Sequence, residues 1–142
     1  MKTKHKLIVL LVVIATVINC VSAQNNAQEH FEKGIKHLDQ KQYPESIQSF
    51  DSAIMADPEY SKAFLMRGVA KLYNEEYFGA IEDFNKVIEL DSENYQAYLY
   101  RSKAKEKTGD TEGAKKDNER LKELLEKPNN EDKNNLKLRQ VS

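Results

Sequence analysis

The sequence has no tryptophan, one cysteine, three prolines and five glycines in 142 residues. With about a third of its residues charged, that composition places it among helix-rich globular chains of one domain. It also lacks the constellations that enzymes use. There is no Gly-rich phosphate loop, no Ser or Cys beside a plausible base, and no HExxH or paired-cysteine metal signature. Of the three histidines, His30 and His37 lie beyond the first 23 residues, seven positions apart. That is ~10.5 Å along a helix, too far to chelate one ion directly. No catalysis, no cofactor and no metal are therefore expected.

A long hydrophobic run is missing too. The longest apolar stretch, Leu7 to Ile18 with only Thr16 interrupting it, has 12 residues, well short of the ~20 that cross a bilayer as a permanent helix. Lys2, Lys4 and Lys6 precede it and the small-x-small triplet Val21-Ser22-Ala23 follows, which is the shape of a secretory signal peptide cleaved between Ala23 and Gln24. Residues 1–23 are thus expected to be a signal peptide, and the product periplasmic or extracellular. Two alternatives keep the protein on a membrane. The segment could stay uncleaved, or Cys20 could be lipidated as in bacterial lipoproteins, although Asn19 stands where such sites carry Gly, Ala or Ser. Cleavage after Ala23 leaves no cysteine, so packing alone must support the fold. It also removes three lysines and no acid, taking the formal charge from −1 to −4, which argues against nucleic acid as a partner.

What remains is self-similar at one fixed spacing, the step from Gly34 to Gly68. Gly34 recurs as Gly68 and then Ser102, Tyr43 as Tyr77, Ile47 as Ile81, Phe50 as Phe84, Ile54 as Ile88, and Asp57-Pro58 as Asp91-Ser92. Ala80, Ile81, Phe84, Val87 and Ile88 form the wide apolar stripe of an amphipathic helix, with Glu82, Asp83, Asn85 and Lys86 read as its solvated side. Gly68 removes a side chain where two helices must approach closely, at a helix cost of ~1 kcal/mol.

These residues closely resemble the tetratricopeptide repeat (TPR), a pair of antiparallel helices with a small residue on the first, an aromatic at the bend and a small-x-x-x-aromatic-x-x-small pattern on the second. The resemblance implies an all-α fold, an α-solenoid of about three helix-turn-helix units spanning residues 27–126, with repeats at about 27–60, 61–94 and 95–127. The helices are expected at Ala27 to Gln40, Pro44 to Ala56, Ser61 to Asn74, Phe78 to Leu90 and Tyr95 to Thr108. In the last unit Thr111 replaces the bend aromatic and Asn118 the packing Phe. Its second helix, with Ala114, Leu121, Leu124 and Leu125 as apolar edge, is expected to be a degenerate, polar-faced cap. Residues 128–142 follow as a polar tail with little to bury, expected to be disordered. The partly alternating Leu136 to Val141 would be a docking motif only if something ties it down.

Members of this family line a concave groove with their first helices, and the resemblance implies protein or peptide binding there. The residues expected on its floor are Phe31, Ile35, Leu38, Leu65, Met66, Val69, Tyr73, Leu99 and Tyr100, rimmed by Asp39, Lys62, Gln96 and Lys103. Some of these, Leu65 and Leu38 above all, could equally be core between repeats. One branch of the family grips acidic carboxyl-terminal tails of chaperones with a Lys/Asn/Arg clamp. The matching positions here are Phe31, Ile35, Met66, Gln96 and Tyr100, so no such clamp is present. By the same register His30 matches Phe64, a packing position, and His37 matches Lys71, read as solvated. Glu75-Glu76 and Glu82-Asp83 read as exposed charges, and Lys115-Lys116 among Glu112, Asp117 and Glu119 as a mixed surface. The expected function is an exported scaffold or adaptor. The alternatives are self-association through the incomplete third unit, or a membrane-anchored accessory subunit of an envelope complex.

Overall fold

The computed structural model describes residues 2–126, with the side chains of all of these except 2–10 and 15–24. Within them six helices follow one another: α1 Lys2–Asp39, α2 Tyr43–Ala56, α3 Ser61–Tyr73, α4 Tyr77–Leu90, α5 Tyr95–Thr108 and α6 Thr111–Glu126. Each packs against its neighbours in sequence, and α3 also touches α1 and α5. The first helices of the three units therefore lie side by side, with the second helices behind them.

From α2 to α5 the helices agree with the expected boundaries to within a residue. The first does not, because α1 begins at Lys2 and runs without a break into the first repeat. Leu11, Val12, Val13 and Ile14 on this extension are 45–57% exposed. Among the described residues no helix is long and apolar enough to cross a membrane. The side chains around Cys20 and the Ala23–Gln24 bond, and the whole of the 128–142 tail, lie outside the described residues.

The two helices of each unit are joined by the same turn. Lys41, Glu75 and Gly109 have φ of 59°, 65° and 84°, and they occupy one and the same position in successive repeats. At each, the left-handed residue donates to the carbonyl three back, and the next residue reaches five back. Gln42 bonds His37 at 2.9 Å, Glu76 bonds Lys71 at 2.8 Å and Asp110 bonds Lys105 at 2.9 Å. This paired closure satisfies the last carbonyls of α1, α3 and α5. Only the third turn uses glycine, so Lys41 and Glu75 carry the steric penalty of an L side chain in this region. Glu75→Gly is expected to stabilise the protein by about 0.5–1 kcal/mol after glycine's entropic cost, read as a rise of a few degrees in thermal midpoint. A lower midpoint would show that the Glu75 side chain contributes more than its strain.

Between units, Asp57 and Asp91 each accept from the amide two residues on, at 3.0 Å, and Asn94 caps α5 by accepting from Ala97 N–H at 3.1 Å. The short polar side chains thus do what a backbone turn would do.

The core sits between the two helices of a unit and between successive units. Phe50 and Phe84 are fully buried because their rings lie over Gly34 and Gly68. A Cβ at those glycines would stand 2.5 Å and 2.6 Å from the rings. In the third unit both partners have changed together, to Ser102 and an exposed Asn118. Leu72, Ile81, Phe84 and Ile88 of the second unit, which belong to or pack against the core that takes in Ala97 and Ala104 of α5, become Glu106, Lys115, Asn118 and Lys122 at the corresponding places on the third. A fourth unit could not bury its apolar face against these charges. The polar-faced cap expected of α6 is present.

Candidate functional site: the face of the first helices

At about 3.6 residues per turn, Lys62, Met66 and Tyr73 project from the side of α3 opposite Gly68, hence away from α4. The repeat register places Gln28, Glu32 and Asp39 on the same side of α1, and Gln96, Tyr100 and Lys107 on that of α5. The three first helices thus present one face side by side, and this face is the expected groove.

The expected floor residues divide into those that face this groove and those that do not. Met66 is half-buried and Tyr73 is 58% exposed, its ring stacked at 5.7 Å on Tyr43. Tyr100 is half-buried, stacked at 6.0 Å on Phe84 with Lys103 Nζ 5.4 Å from its ring centre. Ile35 and Leu99 are half-buried, and the rim residues Asp39, Lys62, Gln96 and Lys103 are all exposed.

Leu65 and Val69, by contrast, are 8% and 5% exposed and belong to the core, with Leu38 packed against the same cluster. Phe31 is turned toward Phe50 and Tyr60, at ring distances of 5.6 and 5.2 Å. The physical reason is position in the stack. Because α3 is the middle helix, both its flanks are covered, and the places that stay partly open on α1 and α5 close over on α3. A charge at Leu65 or Val69 would unfold the protein rather than report on a partner.

The structure also overturns the reading of two acids as solvated. Asp83 is 3% exposed and accepts with both oxygens from one edge of the Arg67 guanidinium, at 2.9 Å from Nε and 2.5 Å from Nη2. Lys71 adds a third contact at 3.0 Å. Arg67 Nη1 reaches on to Asp51 on α2 at 2.5 Å. One arginine therefore ties α3 to its own α4 and to the α2 of the preceding unit.

The next unit repeats the device. Arg101 grips Asp117 at 2.9 and 2.5 Å, Lys105 joins at 2.9 Å, and Asn85 accepts from Arg101 at 2.7 Å. Burial pushes the Asp117 carboxyl up, but the hydrogen bonds from Arg101 and Lys105 outweigh it and hold it below the ordinary carboxylate range. Arg67 and Arg101 each lie over an aromatic face, Phe64 and Tyr98, at 5.4 Å.

Pattern reasoning missed these clusters because an acid on an amphipathic helix is normally solvated. The signal that could have found them is the period itself. Arg67 recurs as Arg101, Lys71 as Lys105 and Asp83 as Asp117, each by the same step that takes Gly34 to Gly68. In the first unit Ser49 stands in place of the acid and donates its hydroxyl to its own helix at Glu45 O, 2.9 Å, and His37 pairs instead with Gln42 at 2.8 Å. His30 is half-buried. No group of three or more His, Cys, Asp or Glu residues among those described could hold a metal ion.

No protein-family model and no curated protein matches the chain, but solved structures do. The first TPR of Spaghetti (RPAP3), bound to the HSP90 peptide SRMEEVD, is 32% identical with a TM-score of 0.70, covering 83% of this chain and 94% of its own. The first TPR domain of human RPAP3 is likewise 32% identical at a TM-score of 0.69, over 80% and 89% of the two chains. The Arabidopsis OM64 TPR domain, at 23% identity, superposes with a TM-score of 0.71 over 75% and 88%. With its fixed repeat period, its three helix pairs and glycines seated under aromatic rings, this chain belongs to the tetratricopeptide-repeat family.

Proposed function

We propose that this protein is an exported scaffold that binds a peptide segment of another protein on the face formed by α1, α3 and α5. The observation that carries the reading is the set of aromatic and apolar side chains left wholly or partly open there, Tyr73 exposed and Met66 and Tyr100 half-buried, although each unit has its own buried core to fill. Such a face offers contact area at low entropic cost to an extended or helical segment. A related domain is seen with an HSP90 peptide. An acidic chaperone tail is not the ligand proposed here, because Phe31, Ile35, Met66, Gln96 and Tyr100 supply no clamp of Lys, Asn and Arg.

Export rests on the basic, apolar and small-residue order of the first 23 residues. Sequencing the N-terminus of the protein recovered outside the producing cell should begin at Gln24. A start at Cys20 would instead indicate the lipid-anchored form, and an intact Met1 an uncleaved anchor. Self-association by stacking through the third unit is disfavoured by its charged outer face, where Glu106, Lys115 and Lys122 replace the packing residues of the second.

The groove itself is tested by Met66→Asp combined with Tyr73→Ala. Both lie outside the core, so the pair should cost little stability, on the order of 0.5 kcal/mol per site. Partner capture should fall at least about tenfold while the helical circular dichroism is unchanged, as expected when central apolar anchors are lost. Undiminished capture by the folded variant would remove the groove as the binding site.

A further inference from the structure

The groove is electrically polarised from one side to the other, and this narrows what it can hold. Reading across from α1 through α3 to α5, the register gives Glu32, Met66 and Tyr100 in one row, and Asp39, Tyr73 and Lys107 in the next. The row of Ile35 and the buried Val69 ends in Lys103, which on α5 stands at the outer edge, on the flank away from α3. In these rows one wall carries the acids Glu32 and Asp39, the middle offers Met66 and Tyr73, and the far wall carries Lys107 with Lys103 at its outer edge. The remaining row, Gln28, Lys62 and Gln96, is neutral on both walls and places one exposed lysine on the middle helix.

Several other charges of α1 and α5 are directed elsewhere. Lys33 and Lys36 occupy the places of Arg67 and Ala70, which face the preceding unit, so on α1 they face its open end. Arg101 and Lys105 are consumed by Asp117, and Glu106 lines the end cavity with Lys115 and Lys122. Among the described residues Asp39 and Lys107 make no ion pair, Lys103 touches only the Tyr100 ring, and Glu32 accepts only from Gln28. This contrasts with the opposite side of the same helices, where Arg67, Lys71, Arg101 and Lys105 are all paired.

We infer that the occupant is an extended peptide with an apolar middle, a basic side chain at the end lying on α1 and an acidic one at the end lying on α5. The inference rests on the peptide-binding reading above and specifies the chemistry of that same site. Neighbouring helix axes are ~8–10 Å apart, so the two walls are about 16–20 Å apart. An extended chain rises ~3.3 Å per residue and would bridge them with about six residues. Alternate side chains would then reach Met66, Tyr73 and Tyr100. A peptide with like charges at both ends meets repulsion at one wall whichever way it lies, whereas the dipolar one satisfies both.

The test is fluorescence anisotropy on the full chain with labelled peptides of about eight residues sharing one alternating Leu-rich middle. Their ends are Lys/Glu in either direction, Lys/Lys, Glu/Glu or Ser/Ser. One of the two dipolar peptides should bind about tenfold more tightly than either like-charged one, and most of the advantage should disappear near 1 M salt, where screening reaches ~3 Å. Lys103→Glu with Lys107→Glu should transfer the preference to the Lys/Lys peptide. Equal binding of all peptides, unaltered by that reversal but abolished by Met66→Asp/Tyr73→Ala, overturns the polarity and leaves the groove as a binding site. Binding of none overturns both.

Discussion

Asp83→Asn should cost about 3–5 kcal/mol, a large share of the ~5–15 kcal/mol that holds a domain folded. The carboxylate is 3% exposed and faces Arg67 and Lys71, themselves only 17% and 14% exposed. The amide would leave the desolvated Lys71 without a counter-charge and Arg67 with only the half-exposed Asp51. Chemical denaturation should show a much lower midpoint, and Asp51→Ala provides the contrast. Asp51 is 48% exposed and shares Arg67 with Asp83, so its loss should cost no more than ~1 kcal/mol. Replacing all three members together, Asp83→Leu with Arg67→Met and Lys71→Leu, should recover most of the loss, because an apolar cluster of similar volume carries no desolvation penalty. An Asp83→Asn protein as stable as the parent would mean that water reaches the cluster.

The equivalent cluster in the third unit adds a pH signature. The Asp117 carboxyl is held below its ordinary value, and the unfolded chain has it near ~3.9. A depressed folded value contributes stability that is fully present above the unfolded pKa and lost as pH falls through the folded one. The stability gap between the parent and Asp117→Asn should therefore be complete at neutral pH and narrow only below about pH 4. A gap that closes between pH 5 and 7 would point to another group.

Gly68→Val should be the next most damaging change. A Cβ there already falls 2.6 Å from the Phe84 ring, and that ring is 0% exposed with no room to retreat. Overpacking of this kind costs typically ~1–3 kcal/mol, and valine brings two further carbons, which places it at the upper end. Phe84→Leu in the same chain should restore part of the loss by shortening the side chain over residue 68, even though Phe84→Leu alone enlarges a void. The third unit supplies the control. With Asn118 in place of the ring, Ser102→Ala should change stability by less than ~1 kcal/mol, the worth of the hydroxyl's bond to Leu99 O at 2.9 Å. If Gly68→Val proves as mild as Ser102→Ala, the helices are free to separate and the close approach is not what the glycine serves.

The repeat, the helix pairing and the polar end of the repeat stack are all legible in the order of residues, because each depends on local chemistry repeated at a fixed period. Gly34 and Gly68 announced a close contact, Phe50 and Phe84 its other half, and Thr111 with Asn118 the place where stacking stops. The site was legible only in part. The sequence identifies the apolar residues of each first helix, yet Leu65 and Met66 are adjacent and equally apolar, and one is core while the other faces the groove. What separates them is that α3 lies between α1 and α5, so the flank carrying Leu65 and Val69 is covered. That fact belongs to the stack and not to the helix.

The buried acids show the same division. The order of residues alone says that an acid recurs at 83 and 117, each preceded at the same distance by an arginine, Arg67 and Arg101. That these charges turn inward is settled only by the packing of helix on helix. A carboxylate can be buried when a guanidinium and an ammonium are brought to it from the neighbouring helix, and residues so far apart along the chain meet only once the helices have packed.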